Sequence, residues 1–195
     1  MYGKLKIIIG PMFSGKTTWL NNELTKFTDT EFSVVKICHS DDIRFGQEIG
    51  STHNSSYKSL TENLTIFSCK SISNLDITPF DVIGIDEGQF FDDLVPTVKH
   101  WVTIYKKYVI ITGLDGDFNR NKFGHILDLI PFCDDVKKLR ATCVRCLKDY
   151  KQNKKYGNIK AIFSKKIVHT TEQKLIGGKE SYMAVCRYHY DNDIP

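Results

Sequence analysis

Residues 7–17, IIIGPMFSGKT, constrain this chain more than any other stretch. A β-branched run ends at Gly10, and Gly10 and Gly15 frame four residues ahead of Lys16 and Thr17, the G-x-x-x-x-G-K-[ST] pattern of a phosphate-binding loop. A strand pattern precedes the loop and a helical one, Lys16 to Phe27, follows it, which is the context the pattern needs. Glycine lets backbone N–H groups turn inward around phosphate oxygens, and the helix that follows aims its unsatisfied amides at the same anion. The expected nucleotide-binding set is Gly10, Pro11, Met12, Phe13, Ser14, Gly15, Lys16 and Thr17, with Lys16 supplying charge and Thr17 a hydroxyl for Mg²⁺. Such a chain is expected to bind a nucleoside triphosphate.

At 195 residues there is room for one substantial core and a small appended unit. A hydrophobic fraction of 41% with 26% charged residues is that of a globular protein. No window reaches the roughly 18 apolar residues of a membrane span, and the run Leu5 to Ile9 is too short for a secretory signal, so a cytoplasmic, reducing location is expected. The six cysteines then read as metal ligands or core thiols before disulfides. Charge is uneven: residues 1–140 carry 16 Lys/Arg against 18 Asp/Glu, a net of −2, and residues 141–195 carry 11 against 5, a net of +6. Two units are expected, 1–140 for nucleotide and 141–195 for another task.

In the first unit, apolar runs alternate with helix-length segments: Leu5 to Ile9, Lys16 to Phe27, Phe32 to Cys38, Leu64 to Ser68, Val82 to Asp86, Leu94 to Tyr105 and Tyr108 to Leu114. The alternation predicts an α/β fold, a parallel sheet with helices on both faces and ligands at the strands' carboxyl ends. Ser40 to Ser59 is polar and reads as a mobile loop. The stretch FDVIGIDEGQFF, residues 80–91, ends an apolar strand in Asp86 and Glu87. Consecutive strand side chains point to opposite sides, so Asp86 is expected toward Mg²⁺ and Glu87 toward the acceptor or an attacking water. Alone, Asp-Glu at a strand end is weak evidence; beside a phosphate loop it gains meaning.

Two knuckles follow, Cys143-Val-Arg-Cys146 and Cys186-Arg-Tyr-His189, which together fit a closed tetrahedral zinc site of three cysteines and one histidine. With four protein ligands the zinc would be structural, and the 39 residues between the knuckles would form a loop tied at its base. The bland alternative is that the cysteines are small core residues and His189 a surface histidine.

These motifs together resemble the type II thymidine kinases of animal cells and poxviruses, the short viral members above all. The likeness runs nearly end to end through GPMFSGKT at 10–17, DIR at 42–44, GIDEGQFF at 84–91, LDGDF at 114–118, the two knuckles, and IGG followed by Tyr182. The resemblance implies that Glu87 is the general base on the 5′-hydroxyl of thymidine and that Asp86 and Thr17 organise Mg²⁺. It implies that Lys16 and Arg44 stabilise the transferring phosphoryl group, with Asp42, Ile43, Gly88 and Gln89 also on the nucleotide side. Met12, Phe90, Leu114 and Phe118 would wall the nucleoside pocket, and Gln173, Lys174, Leu175, Ile176, Gly177 and Tyr182 would close over the base as a lasso. Feedback inhibition by thymidine triphosphate and a homotetramer come with the family, and neither nucleic acid nor membrane is expected as a partner. The chain departs from the family pattern at His189, where most members have a fourth cysteine, at Ile43, where threonine is usual, and in the basic stretch 151–166.

A different class of function, an ATP-driven nucleic-acid motor with a basic zinc unit, fits the net +6 but not the short chain or the few aromatics among the lysines of 148–166. A kinase of another small molecule is the third reading.

Overall fold

Val34-Val-Lys-Ile-Cys-His39 is buried at all six positions, and a strand like that must sit inside a sheet covered from both sides. The computed structural model describes residues 2–41, 57–58, 64–153, 159–167 and 180–192. Its first part runs β1 (Lys4–Ile9), α1 (Lys16–Thr28), β2 (Val34–His39), β3 (Tyr57–Lys58), β4 (Leu64–Cys69), β5 (Val82–Ile85), α2 (Leu94–Thr103), β6 (Tyr108–Gly113), a 3-10 segment Ile126–Phe132, and β7 (Asp135–Lys138). The strands form one sheet in the order β3-β4-β2-β5-β6-β1-β7. Every neighbouring pair is parallel except β3 with β4.

The period of two sorts the core. Ile7, Ile37, Ile83, Ile85, Val109 and Ile111 face α2, which supplies Leu94, Val98 and Trp101, and the 3-10 segment, which supplies Ile126 and Leu129. Val34, Val82 and Ile110 face α1 and meet its Leu20 and Leu24. At about 1.5–3 kcal/mol for each fully buried large aliphatic side chain, these two layers supply most of the fold's drive. Gly84 is what lets α1 sit so close, since a Cβ there would lie 2.6 Å from Leu24 Cδ1.

The α/β architecture and the two-faced parallel sheet are as the sequence predicts. Two strands are additional. Asp135–Lys138 is an edge strand exposed at all four positions, so it carries no apolar signal. Tyr57–Lys58 lies within the stretch expected to be loop and pairs with β4 at Tyr57↔Ile66. The helix expected to reach Tyr105 ends at Thr103.

The distal part contains β8 (Ala141–Thr142), α3 (Val144–Asn153), β9 (Lys160–Ala161), β10 (Phe163–Lys166), β11 (Tyr182–Val185) and α4 (Arg187–Asn192). β8 pairs with β9 and β10 with β11, each antiparallel. Its buried core is Ala141, Cys143, Cys146, Ala161, Ala184, Val185 and Cys186, small side chains apart from one valine. Among the described residues, no helix is long and apolar enough to cross a membrane.

Candidate active site and metal centre

Parallel strands bring their carboxyl ends to one edge, so Gly10 after β1, Asp86 after β5 and Leu114 after β6 gather there. The turn out of β1 depends on glycine. Gly10 has φ 155° and its Cβ would lie 2.7 Å from the Leu139 carbonyl oxygen; Gly15 has φ 83° where α1 begins. The first turn of α1 holds no acidic residue, which leaves its amides suited to an anion. Lys16 is buried and donates from Nζ to the Pro11 carbonyl at 2.9 Å, holding its ammonium within the loop. Ser14 Oγ is buried with no hydrogen-bond partner among the described residues, an orphan that phosphate oxygen would satisfy. The Met12 N–H is already committed, donating to Ser164 Oγ of β10 at 2.9 Å.

Asp86 is almost wholly buried, at 1% exposure, and three donors converge on Oδ1: Thr17 Oγ1 at 3.2 Å, Thr112 Oγ1 at 2.8 Å and the Glu87 N–H at 3.1 Å. Its Oδ2 takes no hydrogen bond but lies 3.2 Å from Lys36 Nζ, near enough for an ion pair. Lys36 itself is buried in the middle of β2 and also donates to Asn21 Oδ1 of α1 at 2.9 Å. A buried carboxylate needs such a countercharge. These hard oxygen donors suit Mg²⁺, with Thr17 presenting its hydroxyl oxygen while its proton points to Asp86.

Strand alternation does not set the relation of Glu87 to Asp86. β5 ends at Ile85, and Glu87 adopts a left-handed conformation, φ 51° and ψ 47°, that turns the chain. A non-glycine residue there costs on the order of 1–3 kcal/mol and persists where the surroundings enforce it. The enforcing group is Gln89, buried, whose Nε2 donates to Glu87 Oε2 at 2.7 Å while its Oε1 accepts from the Leu114 N–H at 2.9 Å. Gln89 thus links Glu87 to the backbone of Leu114, and Gly88 is buried beside it.

Of the residues expected to wall the nucleoside pocket, Leu114 is buried, and Phe90 is half-buried with its ring 5.6 Å from those of His39 and Phe123. Phe118 and Met12 are half-buried and Tyr182 is buried in β11. Asp42, Ile43 and Arg44, and Gln173, Lys174, Leu175, Ile176 and Gly177, lie outside the described residues.

The knuckles converge. Cys143 follows β8, Cys146 lies in the first turn of α3, and Cys186 and His189 sit three apart across the start of α4. Their ligating atoms all lie within 4.8 Å of one another. His189 Nδ1 is 3.6, 3.3 and 3.4 Å from the sulfurs of Cys143, Cys146 and Cys186, and Cys146 and Cys186 sulfurs are 3.7 Å apart. Zn–S near 2.3 Å and Zn–N near 2.0–2.1 Å give tetrahedral edges of about 3.8 and about 3.6 Å, so the cluster fits zinc. Burial and the neighbouring sulfurs push the Cys146 thiol up to about 12. Burial acts on Cys143 too, but N–H groups of Cys146 and Cys186 overcome it and hold that thiol below its ordinary value. Such a group of thiols calls for a cation. On the far side of the imidazole, Nε2 lies 3.1 Å from Asp149 Oδ2, a partner that orients the ring.

Lys36, Thr112, Asp149, Ser164 and Tyr190 are additional to the sequence reading. Lys36 had a signal, a lone lysine inside an otherwise apolar strand. The others are ordinary polar residues whose partners are distant in sequence.

Comparison with known proteins agrees with this arrangement. Residues 3–190 match the family model described as thymidine kinase. The thymidine kinase of Sheeppox virus (strain KS-1) is 38% identical over 189 residues, 97% of each chain. That of Vaccinia virus (strain Ankara) is 37% identical over 188 residues, 96% of this chain and 97% of its own, and that of Variola virus is 38% identical over 189 residues, 96% and 97%. With a phosphate loop, a braced Glu87 and a metal-ready cluster in place along a match of this extent, the chain belongs to the thymidine kinase family.

Proposed function

We propose that the protein transfers the γ-phosphoryl group of ATP to the 5′-hydroxyl of thymidine, giving thymidine monophosphate and ADP. The observation that carries this is Glu87, which follows Asp86 in a left-handed turn and whose carboxylate is held by Gln89. Residues 1–140 act as the kinase unit and 141–195 as the zinc-tied lasso unit. In the transfer, the 5′-oxygen bonds to the γ-phosphorus, the bond from that phosphorus to the β,γ-bridging oxygen breaks, and the hydroxyl proton passes to Glu87. The transition state is loose, so positioning and charge stabilisation dominate. Lys16, the loop amides and Arg44 stabilise the γ-phosphoryl oxygens, with Asp42, Ile43, Gly88 and Gln89 beside the nucleotide. Thr17 and Asp86 would hold Mg²⁺, which neutralises phosphate charge when bound. The three donors on Oδ1 and the lysine beside Oδ2 favour Asp86 acting through Thr17 and water.

Met12, Phe90, Leu114, Phe118 and Tyr182 wall the nucleoside, and residues 173–177 close over its base. Zinc on Cys143, Cys146, Cys186 and His189 is structural. Thymidine triphosphate, placing its base under the lasso and its phosphates on the loop, inhibits. The reading carries a cytoplasmic homotetramer without nucleic-acid or membrane partners. A nucleoside panel with purified protein, ATP and Mg²⁺ tests it: thymidine-dependent ADP release with thymidine monophosphate as product is expected. Preferential phosphorylation of deoxycytidine or deoxyadenosine, or of none, contradicts it.

A further inference from the structure

The wall from Leu114 to Phe118 is pinned at its two ends by different parts of the molecule. At Leu114 the backbone N–H is fixed to the sheet side through Gln89. Between the ends, Asp117 accepts from the N–H groups of Asn119 and Asn121, both at 2.8 Å, which closes the turn, and Asp115 pairs with Lys138 of β7 at 2.5 Å. At Phe118 the anchor comes from the zinc unit: Tyr190 donates its hydroxyl proton to the Phe118 carbonyl at 2.5 Å. Tyr190 directly follows His189, and its own N–H donates to the Cys186 carbonyl at 2.9 Å, so its position is set by the metal cluster.

Further contacts tighten the junction. The Arg120 guanidinium lies over the Tyr190 ring at 4.3 Å and bonds Asp191 at 2.8 Å, and the Lys166 ammonium lies over the Phe118 ring at 4.3 Å. The Tyr190 ring also packs on Phe163 of β10, with centroids 5.2 Å apart. Cation–π and charge-assisted contacts of this kind are individually modest, and the hydroxyl-to-carbonyl bond is the one that fixes the wall's backbone.

We infer that Tyr190 is a positioning residue for nucleoside recognition, the strut through which the zinc cluster sets where Phe118 stands. This rests on Phe118 being a wall of the nucleoside pocket. No ligand of the metal and no group near the transferring phosphate is altered by removing the hydroxyl alone, so nucleoside binding and the chemical step should separate.

Tyr190→Phe keeps the ring, and it is compared with the parent for zinc content, steady-state kinetics and amide hydrogen exchange over residues 115–121. The expected result is one zinc per chain in both, kcat within about twofold, an unchanged KM for ATP, a KM for thymidine raised about fivefold, and faster exchange in 115–121. Arg120→Ala should move the same two readouts less. If both thymidine KM and exchange are unchanged in Tyr190→Phe, or if zinc is lost with kcat and both KM values disturbed together, the strut is refuted. A parent protein that ignores thymidine refutes the functional reading instead, and exchange at 115–121 still decides whether Tyr190 holds the turn.

Discussion

The two parts of this molecule are held together by different physics. The sheet is covered on both faces by large aliphatic side chains, Ile7, Ile83, Ile111 and Leu94 on one and Leu20, Leu24 and Ile110 on the other, and owes its shape to apolar burial. The hydrophobic cluster of the distal unit is three alanines, three cysteines and a valine. A core that small orders little backbone by burial alone, and zinc on the four candidate ligands would replace the missing hydrophobic mass. The difference teaches a division of labour on the proposed reading: the groups given chemical roles stand at the edge of the sheet, and the metal-stapled unit would hold parts of the pocket in place.

Breaking the staple should have the largest effect. Apparent binding energies of structural zinc reach about 10–16 kcal/mol in small peptides, and binding there is folding. His189→Ala should surrender zinc to a chelator far faster than the parent and lower the melting temperature, while His189→Cys keeps the metal. Metal analysis after a chelator challenge checks this; equal retention by His189→Ala would remove His189 from the ligand set.

On the sheet side the comparable weak point is electrostatic. Lys36→Met leaves Asp86 buried without its cation and should cost about 3–5 kcal/mol in denaturant unfolding. Adding Asp86→Asn should recover most of that stability without recovering normal Mg²⁺ dependence. If Lys36→Met alone is as stable as the parent, the pair does not hold the edge of the sheet.

A smaller effect belongs to Asp93, at the start of α2. Its Oδ2 accepts from Ser71 Oγ at 2.6 Å and from the N–H groups of Ile72 and Ser73 at 2.9 and 2.7 Å. Burial works against the charge, but these hydrogen bonds prevail and hold the carboxyl below its ordinary value. A lowered folded value means the contribution is complete above the unfolded carboxylate range and is lost as pH falls through the folded value. Asp93→Ala should cost about 1–2 kcal/mol at neutral pH, with the gap to the parent closing in acid. A gap that persists unchanged at the lowest pH would assign the loss to packing.

The legibility of the chain follows the same division. Strands of the sheet were readable because continuous β-branched runs between turn signals admit few alternatives, and the phosphate loop because glycine geometry restricts sequence. β7 was not, since an exposed edge strand such as Asp-Val-Lys-Lys carries no apolar pattern. Asp86 and Glu87 were readable as a pair, but the turn that separates them was not: nothing local in Glu87 announces a left-handed backbone, which is imposed by Gln89 and Leu114 from 2 and 27 residues away. The gathering of Cys143, Cys146, Cys186 and His189 was readable from spacing alone, whereas the Tyr190 bond to Phe118, 72 positions apart, exists only once both units are placed.

The most direct test of the account is the kinetics of Glu87→Gln. The amide keeps size and can still meet Gln89, but it cannot take the hydroxyl proton. General-base catalysis contributes about 10²- to 10⁴-fold, so kcat should fall by that order while ATP and thymidine affinities measured by equilibrium binding stay close to the parent. Turnover near the parent value in Glu87→Gln would contradict the account, because the group the sheet edge is built to aim would then have no part in the reaction.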